Sequence, residues 1–312
     1  MVINLRLKIQ GVDIFFEKYL LLKFRQPLIK IKYRPGQFFV LKLPISEKKT
    51  INRSYSVISK NESKTIDFLI ELKRSGEAST FLKENYQTLR QIQISGPYGD
   101  FLSNINPNIN SFFWASGIGI TPFIPFINSS NEKLKIFWSV KNSLLREVLD
   151  SIGTQTDRIS IYDKSLSNRL KIQKIRLERF LAHHYLCGSE NYMKELTNKL
   201  IDLEHRNIFR ESFFEDFQLP KAYKGKISTI TFHETFEHSN KNTILESLIS
   251  KVNLHEDYYS CMSGHCGKCK LSIKDGMVLE FDKDNNLKEK TFGESFLACR
   301  AFTKSDKLNL TK

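Results

Sequence analysis

Four of the five cysteines in this 312-residue chain lie close together near its C-terminal end. Cys261, Cys266 and Cys269 have the spacing C-x4-C-x2-C in CMSGHCGKC, and Cys299 follows in FLACRAF after a further 29 residues. Five cysteines are too few and too clustered for the disulfide framework of a secreted domain. The clustering therefore predicts that these four thiolates are the ligands of a metal centre.

The spacing is that of a plant-type [2Fe-2S] site, in which one loop supplies three ligands and a distant segment the fourth. Such a loop must wrap closely around the cluster, and Gly264 and Gly267 provide the backbone freedom for this. The alternatives are a zinc site, which usually needs two C-x2-C pairs, or reduced structural thiols. His265 lies in the loop, but four cysteines already complete the ligand set, so we expect an exposed histidine there.

A second candidate is the turn at 114–122, WASGIGITP, which follows an apolar segment. Gly117 and Gly119 would let the backbone approach a pyrophosphate at the positive end of a helix. Thr121 is predicted to cap that helix, and Pro122 suits its first turn. The third glycine of G-x-G-x-x-G is missing, so this motif alone is also compatible with an ordinary strand-to-helix turn.

Further motifs accompany this turn in a fixed order along the chain: RSYS at 53–56, KRSGEAS at 73–79, GPYG at 96–99, GIGITP at 117–122 and CG at 187–188. Together with the cysteines they resemble the ferredoxin-NADP+ reductase superfamily, specifically its flavin reductases with a C-terminal [2Fe-2S] domain. That group includes reductase components of aromatic-ring oxygenases and the NADH reductase of hybrid-cluster protein. The resemblance covers nearly the whole chain.

The resemblance implies a flavin site in the N-terminal part. Arg53 would bind a flavin phosphate through its fork of donors, and Tyr55 would offer its ring to the isoalloxazine. Ser56 would donate a hydrogen bond near flavin N5, and Ser79 would contact the pyrophosphate beside a helix N-terminus. Taken singly, Ser79 is better explained as a helix cap, and Arg53 and Tyr55 have ordinary alternatives as a surface arginine and a core tyrosine.

The resemblance also implies the residues near the nicotinamide. Cys187 and Gly188 would face the nicotinamide, although a lone cysteine is most often a small buried apolar residue. Glu211 and Phe213 in RESFF resemble the closing segment near the flavin. Ser56, Cys187 and Glu211 are therefore the predicted catalytic residues.

Cofactor choice follows from two segments. Lys141, Ser165 and Arg169 could read a ribose 2′-phosphate, but no clear Ser-Arg pair is present, so we expect NADH, with NADPH as the alternative. The segment KRSGEASTFL resembles FAD-binding relatives more than the FMN-binding branch, so we expect FAD.

The elements that would position these residues change in type along the chain. Short β-rich runs at 37–43, 55–58 and 65–72 predict an antiparallel barrel or sandwich. From residue 111, strands at 111–115, 134–140, 158–162 and 184–186 alternate with helices at 143–151 and 189–203, as in a parallel α/β sheet. A strand at 226–232 and a helix at 243–251 precede the cysteine loop.

The predicted fold is therefore multidomain. It comprises a flavin-binding antiparallel β-barrel domain at 1–105, an NAD(P)-binding α/β parallel-sheet domain at 106–215, a linker at 216–225, and a [2Fe-2S] ferredoxin-type domain at 226–312. The resemblance implies an α+β β-grasp fold for the last of these.

Composition excludes several classes of protein. An apolar fraction of 40% with 24 Phe and 11 Tyr excludes global disorder. The uncharged stretch 101–131 contains Pro107, Pro122 and Pro125, which would leave backbone groups unsatisfied in lipid, so we expect no membrane span. The N-terminus has no uninterrupted apolar run with a cleavage site, which predicts a cytoplasmic protein.

The net charge is +14, and nearly all of the excess lies in residues 1–223. No basic run with interleaved aromatic residues is present, so we expect no nucleic-acid partner. The same field would speed encounter with an anionic cofactor or an acidic protein.

Taken with the resemblance, these features predict a reductase that passes electrons from NADH through FAD and a [2Fe-2S] cluster, one at a time, to an acceptor protein such as an oxygenase. Two other hypotheses remain: a reductase of small-molecule acceptors such as a quinone, ferric chelate or oxygen, and a non-enzymatic redox-sensing module. The acceptor and the oligomeric state are left open.

Overall fold

The computed structural model of the chain describes residues 2–47, 49–127, 134–140, 143–156, 159–163, 182–213, 217, 219–255, 258–262, 264, 266–282 and 286–312. The chain divides into two units, Met1–Phe214 and Glu215–Lys312, and each is described by itself.

The first sheet of the N-terminal unit has six antiparallel strands in the order β4-β3-β6-β1-β2-β5. Its elements are β1 (Ile3–Phe15), β2 (Tyr19–Arg25), β3 (Phe38–Ser46), β4 (Lys49–Ser56), β5 (Thr65–Glu71), α1 (Glu77–Asn85) and β6 (Gln91–Tyr98). The sheet curls until its two edges meet, because the N–H of Ile58, just after β4, donates to the carbonyl of Asp67 in β5 at 2.9 Å. This confirms the predicted antiparallel fold of the flavin domain.

The second sheet of this unit has five parallel strands in the order β11-β10-β7-β8-β9. Its elements are β7 (Ser111–Ser116), a 3₁₀ helix (Gly117–Phe123), α2 (Ile124–Ile127), β8 (Leu134–Val140), α3 (Leu144–Ser151), β9 (Ser160–Asp163), β10 (His183–Gly188), α4 (Glu190–Asp202) and β11 (Ile208–Ser212). Strands β8 and β9 lie on one side of β7, whereas β10 and β11, which come later in the chain, lie on its other side. The strand order therefore reverses at β7. Ligands of open α/β sheets bind at the carboxyl ends of strands at such a switch point.

A buried polar chain crosses the amino-terminal half of this sheet. Trp114 Nε1 donates to His184 Nδ1 at 3.1 Å, and His184 Nε2 lies 3.2 Å from His205 Nδ1. Because Nδ1 of His184 accepts, its neutral ring carries the proton on Nε2 and donates it to His205. Burial and the neighbouring histidines lower the pKa of His184 to about 3.

This histidine makes stability depend on pH. The unfolded chain binds a proton at His184 below about pH 6.5, while the folded chain does not until about pH 3, so stability is lost as pH falls through 6.5. We expect the melting temperature to fall between pH 7 and pH 5, and to fall less in His184→Gln. Thermal unfolding at both pH values tests this, with His255→Gln, at an exposed position in the C-terminal unit, as the control that leaves the His184 environment intact. An equal loss in both variants would contradict the assignment.

The C-terminal unit has a mixed sheet, order β13-β12-β19-β14-β17, and a small sheet, order β16-β15-β18. Its elements are β12 (Ile227–Phe232), β13 (Glu234–Ser239), α5 (Ile244–Val252), β14 (Lys270–Asp275), β15 (Val278–Phe281), β16 (Leu287–Lys290), β17 (Ser295–Leu297), β18 (Ala301–Thr303) and β19 (Lys307–Thr311). Strands β12 and β19 are parallel, whereas the other pairs in the mixed sheet are antiparallel. One helix packed against such a sheet is the predicted α+β arrangement.

The helix of this unit is fixed by local sequence. Thr243 is the N-cap of α5: its hydroxyl accepts from the N–H of Glu246, whose carboxylate accepts from the N–H of Thr243. Ile244, Leu245 and Leu248 are buried in the core of the unit, together with Cys269 and Cys299. The helix therefore supports the segments that carry the cysteines. Across the described ranges, no helix has the length and apolar character needed to cross a membrane.

Candidate functional site

The turn after β7 lies directly against the end of β10. A Cβ built on Gly119 would lie 2.4 Å from the carbonyl oxygen of Cys187, and one on Gly188 would lie 2.6 Å from Cβ of Ser116. Neither position therefore has room for a side chain. A Cβ on Gly117, where φ is +55°, would meet nothing within 4 Å. Gly117 thus offers an open backbone to a ligand, while Gly119 and Gly188 bring the two strand ends together.

The predicted role of Thr121 as a helix cap is wrong. The 3₁₀ helix begins at Gly117 with Ser116 as its N-cap, so Thr121 and Pro122 lie inside it, and the hydroxyl of Thr121 donates to the carbonyl of Ile118 at 3.0 Å. The turn tightens immediately after β7 because Gly117 adopts a positive φ. Thr121 is buried and supports the turn from within.

The substitution Gly119→Ala tests the close approach of Gly119 to the backbone of Cys187. The new methyl group would force β10 and the turn apart, which we expect to cost about 1–3 kcal/mol and to weaken nicotinamide-nucleotide binding. Gly11→Ala in β1, where the nearest atom to the added Cβ is 3.5 Å away, is the control and should leave both unchanged. Chemical unfolding and nucleotide titration of both variants measure the effect. If Gly119→Ala binds the nucleotide as tightly as the wild type, the proposed role of this contact in nucleotide binding is contradicted.

Cys187 and Glu211 are register neighbours on β10 and β11, and both are buried. Burial raises the pKa of the Cys187 thiol well above its usual value, and the Glu211 carboxylate raises it further. Burial, with a contribution from Asp100, raises the pKa of Glu211 to about 8. Cys187 is thus a neutral thiol and not an activated nucleophile.

Glu211 faces the first sheet of the same unit. One of its oxygens lies 3.9 Å from the position of a Cβ on Gly99, and that position is 3.1 Å from the ring of Phe38. Phe38 is the register partner of Ser56 in β3 and β4. The fold thus places the three predicted catalytic residues, Ser56, Cys187 and Glu211, around the junction of the two sheets.

Polar atoms in this region lack partners within the described part of the chain. Both carboxylate oxygens of Glu211 and the hydroxyl of Ser56 are buried and accept or donate no hydrogen bond. An unpartnered buried polar group is costly, and native structures normally satisfy it with protein, water or a ligand. These atoms fit a flavin and a nicotinamide ring, which carry the donors and acceptors that would complete them.

Arg53 and Tyr55 lie on β4 ahead of Ser56. Arg53 is exposed, and its Nη1 donates to the carbonyl of Asn52 at 2.8 Å. Tyr55 is partly buried, and burial raises its pKa to about 12. Both side chains are positioned on the strand that ends at the buried hydroxyl of Ser56.

Ser79 has a local partner that sequence reasoning missed. Its hydroxyl accepts from the N–H of Lys73 at 2.9 Å and closes the loop before α1. The N-cap of α1 is Gly76, so no side chain caps the first N–H groups of this helix. A cleft of about 740 Å³ begins beside Gly76 and Glu77 and extends to residues 44–47 and 80–85.

The four cluster cysteines form two pairs. The N–H of Cys266 donates to Cys261 Sγ at 3.2 Å, the N–H of Cys261 lies 3.5 Å from Cys266 Sγ, and the sulfurs of Cys269 and Cys299 are 3.3 Å apart. None of the four is joined in a disulfide. Each iron of a [2Fe-2S] cluster takes two thiolates, so the two thiol pairs fit this group.

Arg300, which the sequence analysis did not single out, packs against Gly264 in the cysteine loop. It is buried, Nε donates to the carbonyl of Phe281 at 2.8 Å, and its guanidinium lies 5.5 Å from the centre of the Phe217 ring. A Cβ on Gly264, where φ is +80°, would lie 2.4 Å from Arg300 Cδ. Residue 264 must therefore be glycine, because its φ is positive and because a side chain would collide with Arg300. The role of Arg300 could not be predicted, since a single arginine forms no sequence motif.

Four residues weighed from the sequence lie outside the described residues: Lys141, Ser165, Arg169 and His265.

Comparison with known proteins agrees with this geometry. Residues 17–102 match the family described as the oxidoreductase FAD-binding domain, and residues 230–304 match the 2Fe-2S iron-sulfur cluster binding domain. The chain therefore combines an oxidoreductase FAD-binding domain with a 2Fe-2S iron-sulfur cluster binding domain, as the sequence predicted. The second match covers all four cluster cysteines, and the first covers Arg53, Tyr55, Ser56 and Ser79.

Relatives of this reductase match most of its length. The carnitine monooxygenase reductase subunit of Acinetobacter pittii is 23% identical over 89% of this chain and 92% of its own. Phthalate dioxygenase reductase has the same fold, with 18% identity and a TM-score of 0.68 over 99% of this chain and 98% of its own. An intact type IV self-sufficient cytochrome P450 monooxygenase matches 99% of this chain with 17% identity and a TM-score of 0.66, and the chain spans 41% of that protein.

Proposed function

We propose that this reductase oxidises NADH and passes the electrons singly, through FAD and a [2Fe-2S] cluster, to an acceptor protein such as an oxygenase. The observation that carries the proposal is the presence in one chain of an FAD-binding domain, a parallel sheet with a glycine turn at its switch point, and two thiol pairs in a 2Fe-2S domain. A relative named as a monooxygenase reductase subunit supports an oxygenase as the acceptor.

When bound, the flavin takes a hydride from the nicotinamide and gives up single electrons that the cluster relays. The residues of this chain supply position. The open backbone at Gly117 receives the pyrophosphate of the nucleotide, and the close approach of Gly119 to Cys187 holds the turn against β10. Cys187 would face the nicotinamide as a neutral thiol.

Two buried polar groups act on the flavin side of this pocket. The unpartnered hydroxyl of Ser56 would donate to the flavin near N5 and so help to orient it. Glu211 retains its proton up to about pH 8 and so presents a neutral carboxyl group to the reacting rings. A neutral carboxyl avoids placing a fixed negative charge beside a flavin that becomes more negative on reduction.

FAD is favoured over FMN because a cleft lies next to the residues proposed to bind the flavin phosphates. Arg53 and the N-terminus of α1 are suited to phosphate binding, and the cleft beside Gly76 and Glu77 has room for a further nucleoside. We place the adenosine half of FAD in this cleft. NADH is favoured over NADPH because the sequence offers no Ser-Arg pair for a 2′-phosphate.

Electron release is assigned to the exposed side of the cysteine loop. Cys261, Cys269 and Cys299 are buried, whereas Cys266 is partly exposed and Gly267 beside it is exposed. An acceptor protein can approach the cluster most closely from that side. Five cysteines without a disulfide among them suit the reducing cytoplasm, where we place the reductase.

An anaerobic visible spectrum tests the proposal. Purified protein should show flavin bands with a broad cluster shoulder, which bleach with NADH at lower concentration than with NADPH. Release of the flavin by acid, followed by chromatography, should give FAD. Electron delivery should then require one purified partner protein. A colourless protein that ignores both nucleotides would overturn the proposal, and equally rapid reduction of quinones or ferric chelates without a partner would favour a small-molecule acceptor.

A further inference from the structure

Two aliphatic side chains in the N-terminal unit project fully into solvent. Leu28 and Ile29, in the loop between β2 and β3, are 105% and 86% exposed, the two highest values among the large exposed apolar residues of the described chain. Single exposed apolar residues are common, but two adjacent ones at the end of a loop need a reason. Pro27 precedes them and stiffens the chain at this point.

The loop is held firmly. We call residues 25–34 and 60–64 the basic tip. The N–H of Gln26 donates to the carbonyl of Lys64 at 3.1 Å, and the N–H of Tyr33 donates to Oδ1 of Asn61 at 3.0 Å. The hydroxyl of the buried Tyr33 also donates to the carbonyl of Lys60 at 2.9 Å. These cross-links make the two loops one structure and leave Leu28 and Ile29 without cover.

The charge at the basic tip is predominantly positive. Six of its side chains are exposed cations: Arg25, Lys30, Lys32, Arg34, Lys60 and Lys64. Glu62 is the one carboxylate within residues 25–34 and 60–64, all of which the structure describes. Lys30 is anchored by donating to the carbonyl of Glu62 at 3.3 Å, so its charge stays beside the apolar pair.

We propose that the basic tip docks the reductase on an anionic phospholipid surface. Lysine and arginine side chains near such a surface are each attracted to its headgroups, and an apolar side chain between them inserts below the headgroup level. Leu28 and Ile29 protrude from the surface, so an acidic protein partner would need a matching apolar pocket to cover them. A bilayer provides both the negative charge and the apolar layer without such a pocket. The contact is peripheral and independent of the proposed electron transfer.

Vesicle sedimentation of the intact, cofactor-loaded protein tests this. We expect binding to vesicles of phosphatidylglycerol mixed with phosphatidylcholine, little binding to phosphatidylcholine alone, and release at high salt. The double variant Leu28→Ser/Ile29→Ser should bind roughly 10-fold or more weakly, because the inserted side chains are lost. Ile201→Ser, which removes an aliphatic side chain exposed on α4, is the matched control and should bind like the wild type.

A fluorescence measurement places the tip at the bilayer. The two native tryptophans, Trp114 and Trp138, are fully buried, so Ile29→Trp adds an exposed reporter. Its emission should shift to the blue on adding phosphatidylglycerol vesicles. Dye reduction by NADH should be unchanged in the double serine variant, which shows that it is folded. Failure of the wild type to bind these vesicles, or equal binding by the double variant, would overturn the proposal.

Discussion

Cys266→Ser is expected to separate the two halves of electron transfer. Serine is a much poorer metal ligand than cysteine because its hydroxyl holds its proton. The variant should lose most of its cluster absorbance and deliver electrons to a protein acceptor roughly 100-fold more slowly or worse. Flavin reduction by NADH should proceed almost unchanged, because Ser56, Cys187 and Glu211 belong to the N-terminal unit.

Stopped-flow absorbance measures both steps in one experiment, and iron content measures cluster loading. Lys268→Ser is the matched control: it lies two residues away in the same loop, is not one of the paired thiols, and should keep its cluster. Cys266 is chosen because its partial exposure lowers the risk of unfolding compared with the three buried cysteines. Slow flavin reduction in a folded, flavin-replete Cys266→Ser protein would contradict the proposed order of transfer.

The sequence predicted the elements that have a continuous apolar run or a clear local signal at their start. The apolar run at 134–140 matches β8 residue for residue, and Thr243 marks the start of α5 because its capping box is a local signal. Strand β1 was not singled out, although apolar and polar residues alternate from Ile3 to Gln10; only Leu7 of this strand is buried. Its pairing with β2 and β6 is a long-range property of the sheet.

The same limit applies to the site. Motif spacing singled out the four cysteines, and their pairing in space agrees with the expected two-iron arrangement. The error at Thr121 and the missed partner of Ser79 are local, whereas the other omissions concern contacts between distant segments. Thr121 was assigned as a cap because its type suits one, yet the helix starts earlier at Gly117. Neither the packing of Gly119 on Cys187 nor that of Arg300 under Gly264 has any local sequence signal.

Glu211→Gln is expected to stabilise the protein while slowing its chemistry. The folded state keeps the Glu211 proton up to about pH 8, whereas the unfolded chain releases it near pH 4.5. Stability is therefore lost as pH rises from about 4.5 to 8, and the difference between the two pKa values corresponds to about 5 kcal/mol as an upper limit. Glutamine keeps the shape of the protonated acid and removes this loss.

The free energy of unfolding of flavin-replete Glu211→Gln should exceed that of the wild type by a few kcal/mol at pH 8.5, and the two should converge near pH 5. Glu237→Gln, at an exposed position in the C-terminal unit, is the control and should change neither value. Flavin reduction by NADH should slow roughly 10- to 100-fold, because the amide presents different donors to the rings and shifts their alignment. A gain in stability independent of pH would contradict the buried, protonated carboxyl, whereas an unchanged rate would remove Glu211 from the reacting pocket. A gain in stability with a loss of rate is expected where a costly buried group is retained for function.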